Sequence, residues 1–350
     1  MIEFQKYWIF EDKIVFKHNF KEPLNEYSDL INQSKQLVFS NYDDLSVTVI
    51  TNNEINSDMM ENYHGSRFNL GMSGFYPNLT HLVFGCNFNQ PVSGLPPNLT
   101  HLTFGFAFNK PVSGKLPSNL THLTFGKSFN HPVTELPPNL NHLTFSSDFN
   151  QSIDDGILPP FLTHLKLGSI NFTHSIDCLP QSLTHLEFGE WFDRDVDGIL
   201  PQNLTHLTFG EFFKKKVNTV PSTVTHLTIG PYFNQFVELP NVKYLKTYCN
   251  SYYLIDNLPN SLEELVLCMH FNLALNNLPN QLKKISFGKC FCYDKELNNL
   301  PESIEQIELP EGYDKKISKL PKNLKTIRCS EEYKFIDDFI GYQVINYAKL

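Results

Sequence analysis

The chain has 350 residues, of which 41% are hydrophobic and 13% aromatic, and its formal net charge is −9. This composition provides for a sizeable core and argues against disorder, while the acidic balance argues against nucleic-acid binding, which needs concentrated Lys and Arg side chains. Charges interrupt the apolar N-terminal run, and no stretch of about 18 apolar residues occurs. We therefore expect an intracellular, cytoplasmic protein that contacts no membrane. The seven cysteines are odd in number and scattered, which favours reduced thiols.

Residues 1–70 lack the pattern that fills the rest of the chain. Two β-rich runs at 7–10 and 13–16, separated by two acidic residues, predict a hairpin. Apolar residues at helical spacing within 23–36 predict a short helix. Further β-rich runs lie at 37–39 and 46–50. Because the first unit of a repeat array would otherwise expose its stacking face to water, we interpret residues 1–70 as an N-terminal cap.

A short motif then recurs along the chain, and its clearest copy is L-T-H-L-T-F-G at 99–105. A segment repeated at a period of about 20 residues is one unit that buries its apolar face only by stacking on its neighbours. We therefore predict a solenoid of about 13 coils over residues 71–330, followed by a C-terminal cap over 331–350. The first apolar residues of the coils are Leu79, Leu99, Leu120, Leu140, Leu162, Leu183, Leu204, Val224, Val242, Leu262, Leu282, Ile304 and Leu324.

Each coil carries apolar residues at positions 1, 4 and 6, counted from its first apolar residue. Positions 4 and 6, such as Leu102 and Phe104, alternate with a polar residue and predict a short strand with one buried face. One strand per coil of about 20–22 residues must lie parallel to the next strand. The Leu-Pro pair before each new coil imposes an extended approach, so we predict a mainly β solenoid with an irregular convex side, capped at both ends.

Other side chains recur at the return of each coil. An aromatic residue near position 10 predicts an internal spine from Phe88 to Tyr333 that includes Tyr252 and Phe291. The asparagine after this aromatic residue is predicted to bond backbone groups where coils stack; it occurs at Asn89, Asn109, Asn130, Asn150, Asn234 and Asn272. In the last five coils, position 2 alternates in sign and predicts a ladder of charge pairs, formed by Lys243, Glu263, Lys283, Glu305 and Lys325.

The repeat resembles two known families. Its L-x-x-L-x-F spacing is similar to that of leucine-rich repeats, and the complete unit F-N-x-P-V-x-x-L-P-x-N-L-T-H-L-T-F-G resembles the FNIP repeat family, as at 108–112 and 129–133. The resemblance covers about residues 68–330. It implies a leucine-rich-repeat-like fold used for protein interaction, of a kind typical of amoebae and the giant viruses that infect them; for a viral protein, the location would be the host cytoplasm.

Some members of that family carry an N-terminal F-box, which implies an adaptor that presents substrates to a ubiquitin ligase. Residues 1–50 of this chain lack the opening Leu-Pro of an F-box and are rich in β-forming residues. The adaptor therefore stands as an alternative to a simple interaction scaffold.

Position 3 of eight coils is histidine, and position 5 of several coils is threonine. Both positions point away from the core, and stacking turns each into a column on the face that would be concave in a leucine-rich repeat. We predict that this face binds a protein partner. The candidate binding residues are His81, His101, His122, His142, His164, His185, His206, His226, Thr103, Thr124, Thr144, Thr208 and Thr228.

Three interpretations of the histidine column remain open. Parallel strands offer a metal ion neighbouring pairs of imidazoles rather than converging ligands. Stacked imidazoles would repel one another on charging and act as a proton switch at about pH 6. Neutral histidines and threonines would instead form hydrogen-bonded ladders across the strands, which is the interpretation we favour.

Motifs for catalysis are missing from the sequence: it contains no P-loop, no dinucleotide-binding glycine pattern, no H-E-x-x-H and no G-x-S-x-G. We therefore predict a monomeric, non-catalytic protein-interaction scaffold that uses no cofactor and no metal. The alternatives are the ubiquitin-ligase adaptor and a proton- or metal-regulated binder.

Overall fold

The computed structural model describes residues 6–40, 67–72, 74, 76–170, 172–268, 270–288 and 290–346. The chain divides into two compact units, Met1–Leu183 and Thr184–Leu350. Each unit consists mainly of short strands, one per coil, that pair in parallel with the strand of the adjacent coil. The β-rich run at 46–50 lies outside the described residues, and the boundaries at 70 and 330 stay predictions.

The first unit begins with the predicted hairpin, in which β1 and β2 are antiparallel. The predicted short helix and the strand at 37–39 are also confirmed. β2 pairs in parallel with β3, and β3 with β4, so the parallel sheet begins before the first predicted coil. The elements are β1 (Tyr7–Phe10), β2 (Lys13–Phe16), a 3-10 turn (Leu24–Tyr27), α1 (Ser28–Asn32), β3 (Gln36–Phe39), β4 (His81–Val83), β5 (His101–Thr103), β6 (His122–Thr124), β7 (His142–Phe145) and β8 (His164–Leu167).

The second unit continues with one strand in each coil, and the pairs from β9 to β17 are all parallel. Its elements are β9 (His185–Phe188), β10 (His206–Thr208), β11 (His226–Ile229), β12 (Tyr244–Thr247), α2 (Tyr252–Ile255), β13 (Glu264–Leu267), β14 (Lys284–Ser286), β15 (Gln306–Glu308), β16 (Thr326–Cys329), a 3-10 turn (Ile336–Phe339) and β17 (Gln343–Asn346).

The backbone leaves many strands through a glycine, where adjacent coils approach closely. A Cβ atom on Gly105 would lie 2.1 Å from the carbonyl oxygen of Gly85, and one on Gly126 would lie 1.9 Å from that of Gly105. Only glycine fits such contacts. The next coil is entered through a proline turn; for example, the carbonyl of Pro96 accepts a hydrogen bond from the N–H of Leu99 at 3.3 Å.

Two columns of phenylalanine fill the core of the first unit. Within one coil, the rings of Phe84 and Phe88 stack with centroids 3.8 Å apart. Between coils, the centroid distances are 5.5 Å for Phe84 and Phe104 and 6.0 Å for Phe88 and Phe108. Stacked aromatic pairs of this kind contribute about 0.5–1.5 kcal/mol beyond the burial of their area. The predicted aromatic spine is therefore confirmed in this unit.

The prediction of the spine is wrong at two positions of the second unit. Phe291 is 68% exposed and Tyr252 is exposed as well. The coil of Phe291 has 22 residues, and its buried aromatic residue is Tyr293, two positions further on, which stacks on Phe271 at 6.0 Å. In the coil of Tyr252, the helical turn α2 buries Leu254 instead.

Polar side chains tie neighbouring coils together at the return, as predicted for five of the six asparagines; Asn234 makes no such bond to the described residues. The Oδ1 atom of Asn89 accepts a hydrogen bond from the backbone N–H of Asn109 at 2.9 Å, and that of Asn109 accepts one from Asn130 at 3.1 Å. In the second unit, Asp193 accepts in the same way from the N–H of Lys214 at 2.8 Å. Each bond satisfies a backbone donor that strand pairing does not reach.

The predicted charge ladder of the last coils is present. Lys243 and Lys283 lie 3.5 Å and 2.6 Å from the carboxylate of Glu263, and Lys325 lies 2.6 Å from Glu305. These side chains are solvent-exposed, so solvent screens their attraction and they contribute little to stability. Their alternating charges favour one register of the strands.

Candidate functional site: the strand face

Strand pairing places the candidate histidines in two columns, one in each unit. In the first unit, parallel register aligns the histidines that open β4 to β8; in the second unit it aligns those of β9 to β11. The rings of His101 and His122 stack with centroids 4.1 Å apart and planes 13° apart, and the other described pairs are nearly identical. We call the surface formed by positions 3 and 5 of the coils the strand face.

A threonine before all but one of these histidines holds the imidazole ring in place. Oγ1 of Thr100 lies 2.9 Å from Nδ1 of His101 and 3.1 Å from the carbonyl oxygen of Thr80, one coil earlier. The same arrangement recurs at Thr121, and further copies involve Thr163, Thr205 and Thr225. The histidine is thus fixed by its own coil and linked to the preceding one.

Sequence reasoning missed these threonines at position 2, because it assigned the hydrogen bonds to the threonines at position 5. The signal was present as the T-H pair of seven repeats. At position 5, the hydroxyls of Thr103, Thr124 and Thr144 make no hydrogen bond to the part of the protein that the structure describes. The same is true of Thr208 and Thr228. These hydroxyls are therefore available at the strand face.

Burial keeps His101 and His206 uncharged at neutral pH. Desolvation, together with the neighbouring His81 and His122, lowers the pKa of His101 to about 4. The pKa of His206 also falls to about 4 for the same reasons, with His185 and His226 as the neighbours. A proton switch through these two histidines would therefore operate below the pH of about 6 that the sequence indicates.

The columns do not form a metal site of ordinary geometry. Within the described ranges, no group of three or more His, Cys, Asp or Glu side chains is placed to hold a metal ion. Stacked parallel rings direct their nitrogen lone pairs the same way, whereas a bound ion needs converging ligands. Among the described residues, the cysteines form no disulfide bond.

A second surface feature, not anticipated from the sequence, lies at position 9 of three coils in the second unit. The rings of Trp191 and Phe212 stack at 3.9 Å, and those of Phe212 and Tyr232 at 4.8 Å. Trp191 is 50% exposed. The signal in the sequence was an aromatic residue directly before the buried one, as in W-F, F-F and Y-F.

Coils that each contribute one short parallel strand, stack their aromatic side chains and return without a long helix define a repeat solenoid of the leucine-rich-repeat-like kind. The FNIP Repeat family matches seven segments of the chain, at residues 75–107, 108–148, 129–169, 149–190, 172–212, 192–230 and 250–290. Because these segments cover more than half of the sequence, the chain belongs to the FNIP repeat family.

A solved structure, described as CroV588, a novel circular LRR protein structure, is similar to this chain at 30% identity and a TM-score of 0.66. It comes from a giant virus, in agreement with the expected viral or amoebal context. The match covers 94% of this chain and 58% of that protein, so the chain spans less than two thirds of its relative. Among curated proteins, none matches. No helix within the described residues is both long enough and apolar enough to cross a bilayer.

Proposed function

We propose that the chain is a non-catalytic protein-interaction scaffold that binds its partner through the strand face. The observation that carries this proposal is the set of unused polar groups on the first unit. The hydroxyls of Thr103 and Thr124 and the Nε2 atoms of His101 and His122 have no hydrogen-bond partner among the described residues. Regular strands hold these groups in a fixed array, which lowers the entropy lost on binding.

The experiment compares two double variants that add the same charge. Thr103→Lys with Thr124→Lys covers the strand face, and Lys166 shows that position 5 accepts lysine. Ser93→Lys with Ser118→Lys adds the same charge at exposed positions on the return of the coils. In a pull-down from amoebal lysate, we expect the strand-face variant to lose the partners that the wild type and the control retain. Equal capture by both variants would contradict the proposal.

The ubiquitin-ligase adaptor is less well supported. Such an adaptor calls for a helical N-terminal domain, whereas residues 6–40 form a hairpin, a single short helix and a strand of the sheet.

We also propose, from the acidic balance and the fold class, that the chain acts as a cytoplasmic monomer without contact to nucleic acid or membrane. Size-exclusion chromatography with light scattering tests whether the chain is monomeric.

A further inference from the structure

The hydrogen bonds of the threonine at position 2 indicate which nitrogen of His101 and His122 carries the proton. A hydroxyl has one hydrogen to donate, and the carbonyl oxygen of Thr80, 3.1 Å from Oγ1 of Thr100, can only accept. With the hydrogen of Thr100 used there, Oγ1 can only accept from His101, so Nδ1 of this histidine carries its proton. The carbonyl of Thr80 also receives the backbone N–H groups of both residues, which makes the hydroxyl its third donor.

An independent position in the same column gives the same assignment. In the coil of His142, asparagine replaces the threonine, and its Oδ1 atom lies 2.6 Å from Nδ1 of the ring. An amide oxygen has no hydrogen to donate, so Nδ1 of His142 must be the donor. Two different side chains at position 2 therefore favour the same tautomer.

This tautomer leaves Nε2 without a proton and with a lone pair. The Nε2 atoms of His101 and His122 have no hydrogen-bond partner in the described part of the protein, and neither is among its buried unpaired atoms, so both are reached by solvent. With the rings 4.1 Å apart, the strand face presents successive hydrogen-bond acceptors. The hydroxyls of Thr103 and Thr124 lie two residues further along the same strands.

The charged groups beside this row have both signs, whereas the chain as a whole is acidic. Asp12 acts electrostatically on His81 and is paired with Lys35 at 4.0 Å, and Lys166 occupies position 5 of β8 at the other end of the first unit. The chain as a whole carries a formal charge of −9. A partner with donors and positive charge meets complementary groups from β4 to β6, and a carboxylate would face lone pairs there.

We propose that the strand face of the first unit binds a basic protein segment, whose arginine or lysine side chains donate hydrogen bonds to Nε2 of His101 and His122. This inference rests on the proposed function and names the class of partner. Arginine suits the role because it is always protonated and carries five donors and no acceptor.

The first test determines the tautomer. Long-range ¹H–¹⁵N correlation spectra of the labelled chain at about pH 7.5, where imidazoles are neutral, separate protonated from unprotonated ring nitrogens. For His101 and His122 we expect a protonated Nδ1 and an unprotonated Nε2. In the Thr100→Val and Thr121→Val variants, which remove the acceptor, the population with protonated Nε2 should grow. A wild-type spectrum with Nε2 protonated would overturn the inference.

The second test uses fluorescent decapeptides of alternating glycine with either arginine or glutamate, followed by anisotropy. We expect the arginine peptide to bind the full chain at least about tenfold more tightly than the glutamate peptide, since one hydrogen bond from a charged group is worth about this factor. The His101→Phe and His122→Phe double variant should lose about this factor while keeping the ring stack and the net charge. Unchanged affinity in this variant would refute the inference.

His131→Phe with His174→Phe is the matched control in the same unit, because these imidazoles bond backbone carbonyls away from the strand face. It should bind the arginine peptide as the wild type does, and thermal melts check that all variants fold. The two proposals can fail separately. If the strand-face lysine variant loses a partner whose binding segment is acidic, the proposed function stands and the basic partner is excluded.

Discussion

The rings of Phe104 and Phe108, four residues apart in one coil, stack with centroids 3.8 Å apart and planes 9° apart. The side chain of Phe106, between them in sequence, is 51% exposed. Phe104 belongs to the inward-facing side of the strand region, and Phe108 begins the return path, so this contact closes the coil around its own core. The same pair recurs as Phe84 with Phe88 and as Phe125 with Phe129.

Removal of one ring from this stack should destabilise the first unit strongly. We expect Phe108→Ala to lower the free energy of unfolding by about 3–5 kcal/mol, because a fully buried ring leaves a cavity. The control Phe106→Ala, at the exposed position, should change it by less than about 0.5 kcal/mol. Urea unfolding followed by circular dichroism measures both, and similar effects of the two variants would argue against the stacked core.

A methyl group at the strand exit should also be destabilising. In Gly105→Ala the new Cβ would lie 2.1 Å from the carbonyl oxygen of Gly85, and this backbone atom cannot move independently of its coil. We expect a loss of about 1–3 kcal/mol, typical of overpacking. Gly71→Ala is the control, since a Cβ there meets nothing within 4 Å. Equal unfolding midpoints for the two variants would show that the coils are not so closely packed.

In the asparagine row, stability can be lowered and then restored by two different substitutions of Asn109. Asn109→Ala removes the acceptor of the Asn130 N–H and should cost about 1 kcal/mol. Asn109→Asp should restore most of this loss, because Asp193 accepts from a backbone N–H in the same way in the second unit. Thermal unfolding compares the stability of the wild type with that of the two variants. An aspartate variant as unstable as the alanine variant would mean that the row does not act through this acceptor.

Acid should destabilise the fold through the stacked histidines. The pKa of His101 is about 4 in the folded chain, against about 6.5 for an unperturbed imidazole. Between these values the unfolded chain binds more protons, so stability falls as the pH drops from about 6.5 to about 4. NMR titration of the ring protons gives the folded pKa, and unfolding at several pH values gives the slope. A midpoint near 6.5 for His101 would contradict the prediction, and His101→Phe should flatten the slope.

Much of the fold was predictable because its periodicity lies in the sequence. The hairpin at 7–16, the strand of each repeat and the column from His81 to His164 follow from the alternation of apolar and polar residues and from a nearly constant coil length. The burial of Tyr293 in place of Phe291 was not predictable in this way, because two additional residues in a coil can be accommodated before or after the aromatic position.

The candidate site was predictable in position and not in detail. The sequence places His101 and Thr103 on one face, since residues two apart on a strand point the same way. It does not show that Thr100, one residue earlier, reaches both the imidazole and the preceding coil, because this depends on where the chain bends as it enters the strand. Nor does it show that burial lowers the pKa of His101, which depends on how closely the rings stack.

The antiparallel pairing of β1 with β2 also bears on how such a gene can evolve. β1 occupies the side of β2 on which another parallel coil would have to be added, and it runs in the opposite direction. An extra repeat copied into the gene ahead of β2 would therefore meet a strand of the wrong polarity. Duplication or loss of repeats is accommodated within the array, where every coil has a parallel neighbour, so the N-terminal hairpin should stay constant while the number of coils changes.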